Sequence, residues 1–288
     1  MTRRSALVDT QVIYCGDCLD RLRALPEHCV DLIYIDPPFN SNRNYEVFWG
    51  EGKEKRAFED RHASTQAYIE YMRPRCVELA RVLKKSGSFY YHCDWHASHY
   101  VKVMLDQILG ENNFQNEIVW KRSDAHSDSK QGAKHFGRIH DSIFFYTGGG
   151  AHTFNARYKP LSSDTSDGWY KHIEEGTGRR YNMADLTAAK GGGDTEYEWK
   201  GHKPPPGRYW AYSRKKMQVM EENSLLAYSK SGKPYMKRYL DESKGVPLQS
   251  WWDDISMLRG ITRGGERLGY PTQKPLQLLE RIIEVSSN

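Results

Sequence analysis

The N-terminal half of the chain alternates short apolar runs with longer amphipathic stretches. Residues 31–35 are almost continuously apolar, which is typical of a strand buried on both faces of a sheet. Similar runs predict three further strands, at 88–92, 116–120 and 142–147. Strands that alternate with helical stretches in this way predict a parallel α/β sheet.

Helical spacing of apolar residues predicts four helices, near 19–25, over 65–85, after Asp94 and after Pro275. Pro74 is expected to kink or split the second helix. Asp94 is expected to cap the third helix, and Pro275 is expected at the first position of the fourth. The fourth helix carries Leu276, Leu279, Ile282 and Ile283 among its apolar residues.

The pattern changes after the three glycines at 148–150. Residues 151–255 are rich in Gly, Pro, Tyr, Lys and Arg, and only 214–222 have clear helical spacing. We therefore predict an α/β region over 1–150, an irregular insertion with some β structure over 151–255, and a return to the first domain over 256–288.

Composition and charge narrow the class of protein. Aromatic residues make up 12% of the 288 residues, which favours a folded chain over a disordered one. No apolar run approaches the roughly 20 residues of a membrane span, and the N-terminus lacks the apolar core of a signal peptide. The five cysteines form no disulfide-like framework, so we expect a cytoplasmic protein. The net charge of +5 permits a polyanionic partner without requiring one.

The segment Asp36-Pro37-Pro38-Phe39 follows the first predicted strand directly. In open α/β sheets, ligands bind beyond the carboxyl ends of the strands. The two prolines lack N–H groups and restrict the backbone, so nearby carbonyls can point into a site. The carboxylate and a nearby carbonyl can accept two N–H hydrogen bonds, and the aromatic ring can stack on a flat group. Together they could bind a planar group that bears an amine. The alternative is a strand that ends in a tight turn with a solvated carboxylate.

A metal site is the other chemistry that these residue types suggest. Cys15 and Cys18 have ligand spacing, and further candidate ligands cluster at His92, Cys93, His96 and His99. A structural zinc site needs two good pairs, whereas His92 and Cys93 would point to opposite faces of a strand. We therefore expect no metal, and redox chemistry at Cys15 and Cys18 is less favoured still.

Taken together, these segments resemble the amino-group DNA methyltransferases. Residues 35–40 resemble their catalytic motif, and residues 14–19 resemble the segment that holds the adenine of S-adenosylmethionine. Residues 87–99 and 140–147 match later strands, and 269–283 resemble the cofactor-side motif with its helix. This order resembles the β class, in which the chain is circularly permuted. The resemblance implies a Rossmann-like, S-adenosylmethionine-dependent methyltransferase sheet in permuted order.

The resemblance also implies roles for individual residues. Asp36 and a carbonyl near Pro37 would accept hydrogens from the exocyclic amine of a flipped base, which favours a pyramidal nitrogen that attacks the sulfonium methyl group. The expected catalytic residues are Asp36, Pro37, Pro38 and Phe39, and the expected cofactor-binding residues are Asp17, Cys18, Asp36, Thr272, Gln273 and Lys274. The alternatives are a helix N-cap for Asp17 and a surface side chain for Lys274.

The insertion 151–255 is the expected target-recognition region, because it interleaves cations with aromatic residues. The alternative is a solvated surface around a small core. The residues expected to contact DNA are Asn40, Arg122, Arg179, Arg180, Arg208, Tyr209, Lys215 and Lys216.

One part of the family pattern is absent from the sequence. A strand that ends in a glycine-rich cofactor loop should follow the helix after Pro275, and no other stretch supplies it. Either the sequence is truncated or a second polypeptide completes the fold, and the chain alone would then bind cofactor weakly. The expected function is N6-adenine methylation of double-stranded DNA. The alternatives are N4-cytosine methylation and a non-catalytic DNA-binding or specificity subunit. A restriction partner, a homodimer and a prokaryotic or phage-type cytoplasm are also compatible with this family.

Overall fold

The computed structural model describes residues 11–39, 64–124, 132, 134–258, 266–268 and 272–288, together with the backbone of 43–49 and 54–60. The chain divides into two compact units. Unit 1 comprises residues 1–157 and 248–288, and unit 2 comprises Tyr158–Pro247.

The elements are numbered along the chain. The α-helices of the described residues are α1 (Cys18–Arg23), α2 (Thr65–Val82), α3 (Ser98–Leu109), α4 (Ser163–Trp169), α5 (Arg214–Glu222) and α6 (Leu276–Ser286). The strands are β1 (Val30–Ile35), β2 (Arg43–Trp49), β3 (Glu54–Asp60), β4 (Leu83–Cys93), β5 (Phe114–Lys121), β6 (His140–Thr147), β7 (Tyr158–Lys159), β8 (His172–Ile173), β9 (Arg180–Ala184), β10 (Thr187–Ala188), β11 (Tyr209–Trp210), β12 (Leu226–Tyr228), β13 (Pro234–Tyr239), β14 (Val246–Pro247) and β15 (Trp251–Trp252). Short 3₁₀ helices cover Glu111–Asn113 and Leu240–Glu242.

Unit 1 is built on a five-stranded sheet with the order β1-β4-β6-β5-β15. The four strands predicted for this region are confirmed, as β1, β4, β5 and β6. The expectation of a parallel sheet is wrong, because β6 runs antiparallel to both β4 and β5, while β1 is parallel to β4 and β15 to β5. A parallel neighbour needs a crossover, usually a helix, and the described residues between β5 and β6 form none.

Side chains of the sheet alternate between two apolar clusters, as the two-residue period of a strand requires. Phe89 and Tyr91 pack with the buried faces of α2 and α3. Tyr90 packs on the opposite face with Leu278 and Ile282 of α6. Each of these α6 side chains is almost fully buried, which contributes about 1.5–3 kcal/mol. The central sheet is therefore covered by helices on both faces.

Helix α6 begins one residue later than predicted, and only part of its apolar surface is buried. Pro275 occupies the N-cap, and Leu276 is the first helical residue. Of the four apolar residues named for this helix from the sequence, Ile282 is buried, whereas Leu276 and Ile283 are about half exposed. The core face instead uses Leu278, Ile282 and Val285, which have the spacing of successive helical turns.

Helices α2 and α3 also correct two expectations. Pro74 does not split α2, which remains one 18-residue helix. Pro74 has no N–H, so it leaves one helical carbonyl without a donor. The neighbouring carbonyl, of Tyr71, accepts a hydrogen bond from Arg75 Nη1 at 2.8 Å. Asp94 does not cap α3, because its carboxylate accepts from the backbone and ring nitrogens of His96. The N-cap of α3 is Ala97, without a side-chain bond.

Two arginines of α2 hold the six-residue helix α1 at its two ends. Arg75 Nη2 lies 2.8 Å from Asp17 Oδ2, and Asp17 Oδ1 accepts from Leu19 N at the N-terminus of α1. At the other end, Arg81 donates to the carbonyls of Leu22 and Leu25. None of the residues of α1 is fully buried, and these bonds add to the packing of the partly buried Leu22 and Leu25 against the core of unit 1.

Unit 2 contains a four-stranded antiparallel sheet, in the order β12-β13-β9-β8, and two short strand pairs, β10 with β11 and β7 with β14. Its apolar core is formed by Leu186, Tyr197, Trp199, Trp210, Met217, Met220 and Leu226. Glu174 accepts from Lys237 and Tyr239 at 2.6 Å each, and hydrogen bonds from Lys237, Thr177 and Tyr239 lower the pKa of its carboxyl to about 2. Among the described helices of both units, none is long and apolar enough to cross a membrane.

Candidate active site

An open cavity of about 440 Å³ lies beyond the carboxyl end of β1 in unit 1. Two chain segments that are far apart in sequence meet there, the end of β1 and the approach to α6. The cavity is lined by Tyr34, Asp36, Glu266, Leu268, Thr272, Gln273, Lys274, Leu276 and Leu279. Asp36 and the predicted cofactor residues Thr272, Gln273 and Lys274 are therefore brought together at a strand end, where open α/β sheets bind ligands.

Asp36 and Lys274 form the charged centre of this cavity. Lys274 Nζ lies 2.6 Å from Asp36 Oδ2, and the Asp36 side chain keeps one quarter of its surface exposed. The second oxygen, Asp36 Oδ1, has no hydrogen bond within the part of the chain that the structure describes, and His92 Nδ1 lies 3.8 Å from it. One carboxylate oxygen is thus fixed by a cation, and the other can accept a hydrogen from a ligand.

Behind Asp36 lies a buried chain of polar groups that crosses three strands. Tyr34 Oη is 2.8 Å from His92 Nδ1, and His92 Nε2 is 3.2 Å from Asp141 Oδ2. Asp141 Oδ1 in turn lies 3.1 Å from Arg122 Nε. Burial raises the pKa of the Tyr34 hydroxyl well above its usual range, and the nearby carboxylates of Asp36 and Asp141 add to this shift. Tyr34 therefore keeps its proton at neutral pH.

Aromatic rings enclose His92 at the base of the cavity. Its ring centroid lies 5.3 Å from that of Phe39 and 5.5 Å from that of Trp120, with Trp120 in an edge-on orientation. Lys274 Nζ also lies 5.1 Å from the centroid of Phe39. Phe39 is partly buried, so the predicted stacking residue is already fixed by protein contacts.

The segment before α6 is held in place by its own side chains. Gln273 accepts from Leu268 N at 2.8 Å and donates to Glu266 O at 2.7 Å. The N–H of Leu276 is bonded to Glu266 Oε1 at 2.5 Å, so this donor at the start of α6 already has a carboxylate partner. This N–H is therefore not available to a cofactor carboxylate in the structure, and the role of Thr272, Gln273 and Lys274 in cofactor binding stays a prediction.

Asp17 and Cys18 are not among the residues that line the cavity. Asp17 is the N-cap of α1, which was the structural alternative for this residue. The bond from Leu19 N and the adjacent Arg75 guanidinium lower the pKa of its carboxyl, so it is ionised at neutral pH. Cys18 is exposed at the first position of α1. Their role in cofactor binding stays a prediction.

Several residues predicted to contact DNA are engaged within the protein. Arg122 pairs with Asp141, and Arg179 pairs with Asp241 and Glu242 and stacks on the Tyr239 ring. Asn40 lies outside the described residues. Arg180, which was also predicted to contact DNA, donates to the carbonyls of Tyr170 and Ser166 and pairs with Asp167.

The other predicted DNA contacts lie on more open parts of unit 2. Lys215 and Lys216 are exposed on α5. Arg208 and Tyr209 line an open cleft of about 640 Å³, and Arg208 also bonds to Thr187. The remaining lining residues of the cleft are Glu196, Tyr197, Glu198, Lys203, Pro204, Pro205, Pro206, Gly207 and Arg214.

The sequence interpretation did not assign a role to Tyr34, Asp141 or Trp120. Tyr34 could have been found, because it lies two residues before Asp36 and so faces the same side of the strand. Asp141 and Trp120 are paired across β5 and β6, a register that the sequence does not reveal. The sequence suggests an individual role for His92 only as a metal ligand. The described residues contain no group of three or more potential ligands placed to hold a metal ion.

Several known proteins are similar in sequence to most of this chain. The StyLTI Mod subunit, from a type III restriction-modification enzyme of Salmonella typhimurium, is 28% identical over 94% of this chain and 45% of its own length. The type II methyltransferase M.EcaI of Enterobacter cloacae is 27% identical over 89% of this chain and 54% of its own length. The DNA adenine methyltransferase YhdJ of Escherichia coli is 23% identical over 97% of this chain and 68% of its own length.

The chain spans about half the length of M.EcaI and of the StyLTI Mod subunit. The family model of the N6 and N4 DNA methylases matches residues 30–288, which include β1, the cavity and the whole of unit 2. This match covers most of the chain and both segments that form the cavity, so the chain belongs to the N6/N4 DNA methylase family.

Proposed function

We propose that the chain carries the methyl-transfer site of a DNA methyltransferase that acts on an exocyclic amine. The observation that supports this most directly is the position of Asp36. Its Oδ2 is held by Lys274 at 2.6 Å, while its Oδ1, which has no hydrogen bond among the described residues, can accept a hydrogen at the open end of β1. An exocyclic amine is a poor nucleophile because its lone pair is delocalised into the ring, and a fixed acceptor on its hydrogen helps to localise that pair.

The proposed mechanism uses positioning and charge. Asp36 Oδ1 accepts one amine hydrogen, and a carbonyl near Pro37 accepts the other, so that the nitrogen becomes pyramidal and its lone pair points at the methyl donor. Positive charge that develops on the nitrogen is stabilised by the Asp36 carboxylate. Holding both reactants in line supplies much of the rate enhancement. Phe39 offers a ring for stacking of the extrahelical base, which offsets part of the cost of flipping.

The proposed cofactor is S-adenosylmethionine, and the residues of the cavity fit its amino-acid end. Lys274 supplies a cation, Thr272 and Gln273 supply polar groups, and Leu276 and Leu279 form an apolar wall. When bound, the cofactor supplies an electrophilic methyl group on a positively charged sulfur. Asp17 and Cys18 are proposed to hold the adenine, which would have to share Asp17 with Arg75.

The proposed target atom is N6 of adenine. An acidic residue at the first position of Asp36-Pro37-Pro38-Phe39 resembles adenine enzymes, and the relative YhdJ is a DNA adenine methyltransferase. We expect nucleosides from DNA incubated with the protein and S-adenosylmethionine to contain N6-methyladenine by mass spectrometry. N4-methylcytosine as the sole product would rule out adenine as the target and would still support methyl transfer to an exocyclic amine. DNA binding without any methylated nucleoside would favour the non-catalytic alternative.

Unit 2 is proposed to select the DNA sequence. Lys215 and Lys216 are its most available predicted contacts, because Arg179, Arg180 and Arg208 have internal partners. Replacing residues 158–247 by the corresponding unit of a relative should change the methylated sequence and leave the modified atom the same. Methylome sequencing of an expressing host measures both. An active graft with an unchanged recognition sequence would place specificity elsewhere.

Double-stranded DNA is the proposed partner. A restriction endonuclease subunit is also proposed, because the StyLTI relative is the Mod subunit of a restriction-modification enzyme. Copurification of a tagged protein from its native host, followed by mass spectrometry, tests for such a subunit.

A further inference from the structure

The inner side of helix α5 holds the helix on the core of unit 2. Met217 and Met220 are almost fully buried there. On the same side, the Glu221 carboxylate accepts from the Tyr228 hydroxyl at 2.7 Å and pairs with Lys200. These contacts fix the position of α5 in unit 2 and leave its opposite side facing solvent.

The outer side of α5 carries four exposed side chains, Lys215, Gln218, Val219 and Glu222. Their spacing of three, four and seven residues places them in one stripe along the helix, called here the outer stripe. Among the residues that the structure describes, none forms a hydrogen bond or an ion pair with these four side chains. The outer stripe is not purely polar, because the apolar side chain of Val219 is 47% exposed in its middle.

The charges of α5 run against the helix dipole. Its first three residues are Arg214, Lys215 and Lys216, and its last two are Glu221 and Glu222. The N-terminus of a helix carries positive partial charge, so acidic residues stabilise it there and basic residues stabilise the other end. This order of charges opposes the stability of the helix. A polyanion that contacts the first turn explains it, because such a partner needs the cations at that end.

Aromatic rings distinguish the three cations of the first turn. Arg214 Cζ lies 4.9 Å from the ring centroid of Tyr197, and Lys216 Nζ lies 4.9 Å from that of Tyr212. These two side chains therefore lie along the surface of unit 2, on either side of the helix. Lys215 has no ring contact of this kind among the described residues, and it belongs to the outer stripe.

We propose that α5 enters the major groove of the DNA substrate and that Gln218 and Val219 of the outer stripe read base edges. This inference rests on the proposed function, in which unit 2 selects the sequence. An α-helix about 10–12 Å across fits a major groove about 12 Å wide, and the nine residues of α5 span about 14 Å. Double-stranded DNA also supplies the polyanion that the first turn requires.

The chemistry of the outer stripe determines what is read. The Gln218 amide can donate to N7 of an adenine and accept from its N6 amine, a pair of bonds that only adenine offers in the major groove. Val219 offers an apolar contact to the methyl group of a thymine. Arg214 and Lys216 are placed to contact phosphates on the two sides of the groove. Glu222 would repel phosphates, so the N-terminal end of α5 is the end that enters.

The first test is selection of bound duplexes from a randomised DNA library by the full chain, which requires binding and no methyl transfer. The wild type should enrich a sequence that contains an adenine other than the methylated base. In Gln218→Ala, the preference for that adenine should fall by roughly tenfold to a hundredfold, and the other positions should stay selected. The variant should fold, because this side chain is exposed and alanine has the higher helix propensity.

Gln107→Ala is the matched control. It removes the same side chain from α3 of unit 1, where Gln107 accepts from Arg73 at 2.9 Å, and it should select the wild-type sequence. A sequence that Gln218→Ala leaves unchanged would overturn the proposal. A loss of affinity that is equal for all sequences would overturn it too, because it indicates contact with phosphates alone. So would a wild type that enriches no sequence.

The second test replaces each thymine of the selected duplex by uracil, which lacks only the 5-methyl group. One replacement should weaken wild-type binding about fourfold, as expected for one buried methyl group, and should not affect Val219→Ala. No effect on the wild type, or the same effect on both proteins, would overturn the role of Val219.

Methylation of the selected duplex is measured separately. If the wild type selects a sequence but transfers no methyl group, the proposed methyl-transfer function fails. The Gln218→Ala and Val219→Ala comparisons still decide whether α5 reads the DNA, because both depend on binding alone.

Discussion

Asp36→Ala is expected to abolish methyl transfer and to leave DNA binding largely intact. The substitution removes the only carboxylate proposed to contact the amine, and it leaves Lys274 as an unpaired cation in the cavity. Loss of one preorganised polar contact to a transition state costs about 10²–10³ in rate, and loss of a charged one should reach the upper end of this range. Single-turnover transfer of labelled methyl groups measures the rate, and a gel-shift titration measures DNA affinity.

The matched control for this experiment is Asp31→Ala. Asp31 lies near the start of β1, the strand that ends directly before Asp36, and it is exposed and pairs with Lys84 at 2.7 Å. Its loss removes the same chemical group at the other end of the strand, and surface substitutions of this kind usually change stability by less than about 0.5 kcal/mol. Its methylation rate should stay near the wild-type value. Substantial turnover in Asp36→Ala, or equal losses in both variants, would refute the role assigned to Asp36.

Trp210→Ala is expected to lower the free energy of unfolding of unit 2 by about 3–5 kcal/mol. Trp210 is 1% exposed in the core of unit 2, and its indole N–H donates to the Tyr197 carbonyl at 2.8 Å. The substitution opens a large cavity and leaves that buried carbonyl without its donor. Urea unfolding followed by circular dichroism measures the change, and sequence-specific DNA binding should weaken as unit 2 unfolds.

Trp169→Ala is the control in the same unit, because Trp169 is 59% exposed at the end of α4. The same side chain is removed, but little buried surface is lost, so the change should stay below about 1 kcal/mol. Similar losses in the two variants would mean that the core of unit 2 is not organised around Trp210.

The strands of unit 1 could be predicted because each is a dense apolar run. An apolar run can be recognised in the sequence without knowledge of distant contacts. Such runs located β1, β4, β5 and β6. The direction of β6 could not be predicted, since an apolar run reads the same in a parallel or an antiparallel pair. The buried face of α6 could not be predicted either, because apolar residues at mixed spacing allow more than one helical face, and packing on the sheet selects between them.

The candidate site was predicted in part. Asp36 and Lys274 are 238 residues apart, and their convergence followed only from the resemblance to a family with this arrangement. The network behind them was not predicted, because the pairing of Trp120 with Asp141 depends on the register of β5 and β6. Basic residues of unit 2 were the weakest part of the prediction. A sequence shows which residues are cations, but not that Arg179 already has two carboxylate partners.

The attachment of α1 to α2 has a consequence for the order in which unit 1 is assembled. A six-residue helix without buried residues does not persist by itself in water, because nucleation is costly. Its two ends are held by Arg75 and Arg81, which have the required spacing only when α2 is already helical. Helix α1 is therefore a late-forming element. Its backbone amides should therefore exchange with solvent at least as fast as those of α2. Helix α1 can unfold locally while α2 stays intact.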